Sequence, residues 1–447
     1  MLPFPIFSHT TPRVMPVHPI RLILPLLALP SLWACGEPAS EGPPPPSTEA
    51  EAAIANDGGA PHAELGRAID GLFNTDAVGP THALVIMKRG SVIAERYGPG
   101  ISDTTRLPGW SAGQCLTSLM IGQLVSDGRL RLNESAPVPE WRRPGDPRGE
   151  VTLRQLLQMR SGLRFAKGRP GREGGIAEQS DAMRLLYLDG RDDMAAYAEA
   201  QPLESPAGQT FADSGANAII LADLAARVLA PDGSPEARRA AVMGYLQSRV
   251  LTPIGMESTQ AGFDRAGTLT GSGMIHANAR DWAKLAEFLR HRGSVAGAQI
   301  LPRRWISFMR EPSPRNAAYG AGVWLNTAPP GETARLWPAT APADVFACLG
   351  EYGQYVVSSP EQLLTVVRLG RSHPTRNAPC TSASERFWRC FRAGSNSSQS
   401  RKDDSEGHRP RAPKIVTLTS HAPAWLRKVR STIWGSRGDD PLKNINF

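Results

Sequence analysis

"GWSAGQCLTSLM", Gly109 to Met120, decides how the rest of the chain is read. Ser111 is followed three residues later by Gln114, and then by an apolar run, "CLTSLMIGQLV", long enough for a buried helix. Two chemistries compete for this pattern. Ser-x-x-Gln at a helix start is a capping box: the serine oxygen accepts from a first-turn N–H, and the glutamine reaches back to the serine N–H. Such a cap is worth about 0.5–2 kcal/mol. A serine at the mouth of a buried helix is also a candidate nucleophile, and a nucleophilic serine needs a neighbour that takes its proton. An amide cannot do so. Gln114 is therefore read first as a cap, with a glutamine that positions a water as the rival. Cys115 points to another helix face and is a poor substitute nucleophile.

Outward from this helix the pattern is strand-rich at both ends and helical between. Upstream, helix-like "HAELGRAIDGLF" precedes "HALVIMK" and "SVIAERY", two β-rich runs joined at Arg89 and Gly90. Downstream come "LRQLLQM", "AIILADLAARVL", "RRAAVMGYLQSRVL" and "RDWAKLAEFLRHRG", all with helical spacing. Strand-like "YGAGVWLN", "QYVVSS" and "LLTVVRLG" close the body, the last two separated by a turn at Pro360 and Glu361. The fold class predicted is α+β: an antiparallel sheet built from both ends of the domain, with flanking helices and an inserted helical subdomain. No internal repeat is visible.

The 447 residues are 41% hydrophobic, ample for a sizeable core, and carry a net charge of +8. That charge is local. Arg371 to Phe447 holds 15 Lys and Arg against 6 Asp and Glu, whereas the rest of the chain holds 35 against 36. A neutral body gives no reason to expect a nucleic-acid partner. The tail, 371–447, has no sustained period and many Arg, Ser and Pro residues, and is predicted to be disordered and dispensable for the fold. A short piece near "PAWLRKVRSTIW" is either a membrane-touching amphipathic segment or a solvated basic stretch. Residues 36–60, "GEPASEGPPPPSTEAEAAIANDGGA", read as a Pro/Ser/Glu-rich linker without a core. The domain is expected to span 61–370.

Residues 1–35 read as a signal peptide. "IRLILPLLALPSLWA", Ile20 to Ala34, is too short and too proline-broken to span a bilayer, and is followed by Cys35. "LWAC" resembles a bacterial lipoprotein cleavage site, which makes Cys35 the candidate lipidation site; plain secretion is the alternative. Met15 is a possible true start. Either route places the protein outside the cytoplasm, in the periplasm or on a membrane surface. The five cysteines show no metal-ligand spacing. Cys115 and Cys348 are read as core residues, and Cys380 and Cys390 as a possible pair.

Seven stretches, in order over roughly residues 65–370, together resemble the β-lactamase-related serine hydrolases, with the fold of class C β-lactamases and penicillin-binding proteins. The branch they most resemble is that of 6-aminohexanoate-dimer hydrolase. They are "GWSAGQCLTSLMIGQLVSDGRL", "PVPEWRRPGDPRGEVTLRQLLQMRSGL", "PAGQTFADSGANAIILADL", "LTPIGMEST", "SGMIHANARDWAKLAEFLRHRG", "YGAGVWLN" and "LGEYGQYVVSSPEQLLTVVRLG". The resemblance implies a serine nucleophile at a buried helix, a lysine one turn on, a tyrosine from the helical subdomain and a strand motif on the opposite cleft wall. It implies amide, ester or peptide-like ligands, with no cofactor and no metal.

Carried over by position, Ser111 matches the nucleophile, Gln114 stands at the lysine position and Asp213 at the tyrosine position. Asn217, Gly350, Gly353 and Gln354 fit the substrate-binding frame, and Glu351 stands where many relatives have histidine. Asp213 is short of a phenol's reach and suits an ordinary turn; as a carboxylate it is also a conceivable base. Glu351 is read either as a partner for a cationic ligand or as a solvated rim residue. His276 is read as structural. The resemblance therefore implies a degenerate hydrolase with a retained cleft. An active hydrolase using Asp213 or water is the alternative, and a decaying gene a third possibility.

Overall fold

Thr81–Lys88 (β1) and Ser91–Tyr97 (β2) pair antiparallel through the tight turn at Arg89 and Gly90, both at positive φ. Trp324–Leu325 (β3), Phe346–Gly350 (β4), Gln354–Ser359 (β5) and Leu364–Gly370 (β6) come from the other end of the domain. Among the described residues these form a six-stranded antiparallel sheet in the order β2-β1-β6-β5-β4-β3. The two ends meet along β1 and β6, in a register that sets Val85 opposite Val367. The structure is a computed structural model and describes residues 42–166, 180–328, 336–372, 388, 390 and 391. The chain divides after Pro44, and all that follows concerns the second unit. The stretch read as a signal peptide, with Cys35, lies outside the described residues. No helix among those described is long and apolar enough to cross a membrane.

The central strands are buried on both faces, and alternation decides which core each side chain enters. Ala83, Val85, Val356, Val367 and Leu369 join the larger core, whereas Leu84, Ile86, Val357, Leu364 and Val366 join a second. His62–Phe73 (α2), with Leu65, Ile69 and Leu72 buried along one face, covers the second core. Gln114–Ser126 (α3) lies in the first, with every residue from Gln114 to Leu124 buried. Gly215–Leu229 (α4) of the helical subdomain and Ala279–Arg290 (α5) pack in the same core.

Two expectations at the domain's edges are corrected. The stretch read as a coreless linker holds a helix, Thr48–Ala53 (α1), capped by Ser47 and acidic in its first turn. Its Ala50 is buried in the second core. The tail read as disordered supplies Trp388, Cys390 and Phe391 to that core. Trp388 lies 5.3 Å from Trp337, centroid to centroid, and the Lys88 ammonium sits 5.0 Å over the Phe391 ring. This sheet is apolar on both faces, and these side chains add to the cover that α2 gives the second core, without a long periodic segment. Cys380 and the rest of the tail lie outside the described residues.

Trp388→Ala is expected to lower the stability of the full chain by about 3–5 kcal/mol. Truncation after Ser372 is expected to do at least as much. A melting temperature unmoved by either change would restore the view that the tail is dispensable.

Candidate active site

Ser111 sits in a short 3₁₀ turn, Trp110–Gly113, that leads directly into α3. Its hydroxyl donates to Glu351 Oε1 at 2.7 Å, and its backbone N–H donates to Glu351 Oε2 at 3.0 Å. One carboxylate thus takes both donors of the residue expected to be the nucleophile. The Ser111 hydroxyl also lies 3.5 Å from the Ser272 carbonyl oxygen.

The capping box predicted from Ser-x-x-Gln does not form. The α-helix begins at Gln114 itself, and neither start of this turn-and-helix has a side-chain cap. The orphan N–H that a glutamine would have satisfied is taken by Glu351, an anion at a helix N-terminus, where partial positive charge favours it. Gln114 is buried and turns away, its Oε1 accepting from the Tyr319 hydroxyl at 3.4 Å. Tyr319 is buried among Phe211 and Trp324, with ring centroids at 5.3 and 5.0 Å. Burial first, and then the negative charge of Asp213, raise its phenol far above the usual range. It stays protonated, donating to Gln114 while its oxygen accepts from the Gly322 N–H. Asp213, half-buried, stands close enough to Tyr319 for its charge to act on the phenol.

Glu351 is held in place from behind. Gln354 donates to the Glu351 carbonyl at 2.9 Å and to the Gly370 carbonyl at 2.7 Å, while accepting from the Gly370 N–H at 2.9 Å. Buried Arg368 donates to the Gly353 carbonyl at 2.7 Å and to Thr81 at 3.0 Å. Gly350 approaches so closely that a Cβ there would lie 2.1 Å from the Gly109 carbonyl oxygen. Gly353, at φ 78°, turns the chain where a Cβ would meet the Arg368 guanidinium at 2.6 Å. These two glycines are thus required by geometry. Asn217, also placed in the binding frame, is buried and occupied elsewhere: it accepts from the Ser161 hydroxyl at 2.9 Å and its amide faces the Met159 sulfur.

Cys115 and Cys348, read as separate core residues, are joined in a disulfide with Cα atoms 6.0 Å apart. It ties α3, just after Ser111, to β4, just before Glu351. Sequence reasoning also missed Arg368, whose signal was a lone charge inside the apolar run "LLTVVRLG", and Tyr319, which sits in a quoted motif but was given no role. His276 pairs through its backbone with Pro108 and lines a cavity of about 460 Å³ beside Trp110. Another cavity, of about 590 Å³, lies among the ion-paired Glu199, Asp223, Arg227 and Arg238 of the helical subdomain and is lined by none of these site residues. Among the described residues no group of His, Cys, Asp and Glu could hold a metal ion.

The beta-lactamase family profile matches residues 70–380. No curated protein matches the chain. Among solved structures, a 6-aminohexanoate-dimer hydrolase homologue from Bacillus anthracis is similar with a TM-score of 0.58 at 20% identity, over 73% of this chain and 82% of its own. A beta-lactamase homologue from Bacteroides dorei DSM 17855 gives 0.54 at 18%, over 74% and 99%. A family VIII carboxylesterase gives 0.52 at 16%, over 73% and 97%. At such identities the likeness establishes the β-lactamase/transpeptidase-like fold expected from the sequence.

Replacing Cys115 and Cys348 together with alanine is expected to cost about 2–4 kcal/mol, read from denaturant midpoints. A reducing agent should reproduce the loss in the native chain and add nothing to the double variant; a reductant effect in the variant would place the sensitivity elsewhere.

Proposed function

The chain belongs to the beta-lactamase family, and on that premise we propose that it is a member whose cleft binds small amide, ester or peptide-like molecules while its serine has lost efficient acyl transfer. The observation that carries this is the pairing of Ser111 with Glu351. In acyl transfer the nucleophile's proton must leave to a base, and a backbone N–H beside it must be open to the developing oxyanion. Here the N–H already donates to a carboxylate that an incoming carbonyl has to displace. The position one helical turn on from the serine is a glutamine engaged with Tyr319. Loss of such partners lowers turnover by about 10⁴–10⁶-fold in serine hydrolases.

A second reading has its own support: the Glu351 oxygen 2.7 Å from the Ser111 hydroxyl is placed to accept its proton. An exposed carboxylate is a weak base toward an alcohol, and this one also blocks the N–H, so the impaired reading is preferred. We further propose export. The Cys115–Cys348 disulfide favours an oxidising compartment, which accords with a leader ending at Cys35, lipidated or simply cleaved, and with a periplasmic or membrane-anchored protein.

The native chain is expected to show no time-dependent labelling of Ser111 by a fluorophosphonate or a fluorescent penicillin. Gln114→Lys combined with Asp213→Tyr should bring back acylation, each alone much less, because proton removal and delivery act as one unit. Robust native labelling abolished by Ser111→Ala would refute impairment, and its loss in Glu351→Gln would make Glu351 the base. For localisation, Cys35→Ser should move the protein from the membrane to the soluble fraction of a bacterial host; unchanged fractionation rules out the lipid anchor.

A further inference from the structure

Glu95, Asp127, Asp223 and Glu287 are paired with arginines, but no Lys or Arg among the described residues forms an ion pair with Glu351. Its partners are the two donors of Ser111, and its side chain is exposed. Gln354 and Arg368 fix the backbone of the turn that carries this carboxylate, and the exposed carboxylate presents negative potential to the cleft.

What surrounds it is aromatic. Tyr352, 38% exposed, meets Trp110 edge-on with centroids 5.3 Å apart and planes at 66°. Both residues flank the Ser111–Glu351 pair in the chain, and both lie at positive φ, 49° for Trp110 and 61° for Tyr352. Two bulky residues in that region are strained, and strain of this kind is maintained where a side chain must point a particular way. On its other side Trp110 lines the cavity of about 460 Å³ together with Tyr187, Met274 and His276, and among the described residues that wall has no Lys or Arg. Tyr187 is 41% exposed. Burial raises its phenol, and the nearby Tyr352 and Glu351 raise it further, which puts all three in one electrostatic neighbourhood.

We infer that Glu351, Trp110, Tyr187 and Tyr352 form a recognition site for an organic monocation, a primary or quaternary ammonium group carried by the ester, amide or peptide-like ligand of the cleft. The inference rests on the cleft-binding reading above and adds the substrate class. Aromatic faces and a carboxylate are the pair of features by which ammonium groups are held. A metal cation would instead need several oxygen ligands, and an anion would be repelled by Glu351.

The test is calorimetric titration of the full chain with acetylcholine and with its uncharged carbon isostere, 3,3-dimethylbutyl acetate. Acetylcholine is expected to bind at least about tenfold more tightly than the isostere. Glu351→Gln should remove most of that preference, with the isostere titrated on the same variant as the control for any change in the cleft. Tyr187→Leu, which does not touch Ser111, should weaken acetylcholine by about threefold or more. Equal affinity for the two esters, or a preference that survives both substitutions, overturns the cation site and leaves the binding cleft standing. Failure of both esters to bind overturns the cation site and the binding cleft together.

Discussion

A single carboxylate closes the N-terminus of the most deeply buried helix. Glu351 takes the N–H and the hydroxyl of Ser111, and the rest of the site is arranged so that it can. The sheet brings β4 and β5 up to the mouth of α3. Gly350 allows the two backbones to approach, Gln354 and Arg368 fix the turn between the strands, and the Cys115–Cys348 disulfide ties helix to strand. The first-turn N–H groups of a helix have no acceptor within the helix and need one from outside it. Here the acceptor comes from 240 residues away along the chain rather than from the helix's own sequence.

That substitution explains why Gln114 is free to serve another partner. Its amide meets the protonated Tyr319, and Asp213 completes the group behind it. The positions where the family resemblance expects lysine and tyrosine thus hold a glutamine bonded to Tyr319 and a carboxylate whose charge reaches that phenol, while the serine faces a second carboxylate. On the function proposed above, the same anion also gives the cleft a preference for cationic ligands, so that one residue would account for both the impaired nucleophile and the ligand class.

Much of this architecture was legible. The strands were found because they are runs of β-forming residues, nearly continuous in β1 and β6 because a core lies on each face of the sheet. The buried helix was found because α3 is apolar all round. The capping box was misread because a local pattern carries no trace of Glu351. The disulfide escaped because Cys115 and Cys348 each sit in apolar surroundings, 233 residues apart. Trp388 and Phe391 were lost in an Arg- and Ser-rich tail because a few anchoring rings need no period. The helix Thr48–Ala53 did leave a signal, the serine before "TEAEAA", but the adjoining prolines hid it. For Ser111 the family frame located the residue, whereas its partner had been read as a ligand group or a rim residue.

The most direct measurement is a double-mutant cycle on stability between Ser111→Ala and Glu351→Ala, with Ser111→Ala and Gln114→Ala as the control. The account predicts a coupling of about 0.5–1.5 kcal/mol for Ser111 with Glu351, reduced from the value of a buried charged hydrogen bond by solvent. It predicts additivity within about 0.3–0.5 kcal/mol for Ser111 with Gln114. Additivity in the first cycle together with coupling in the second would contradict it, placing the serine in the hands of the glutamine after all.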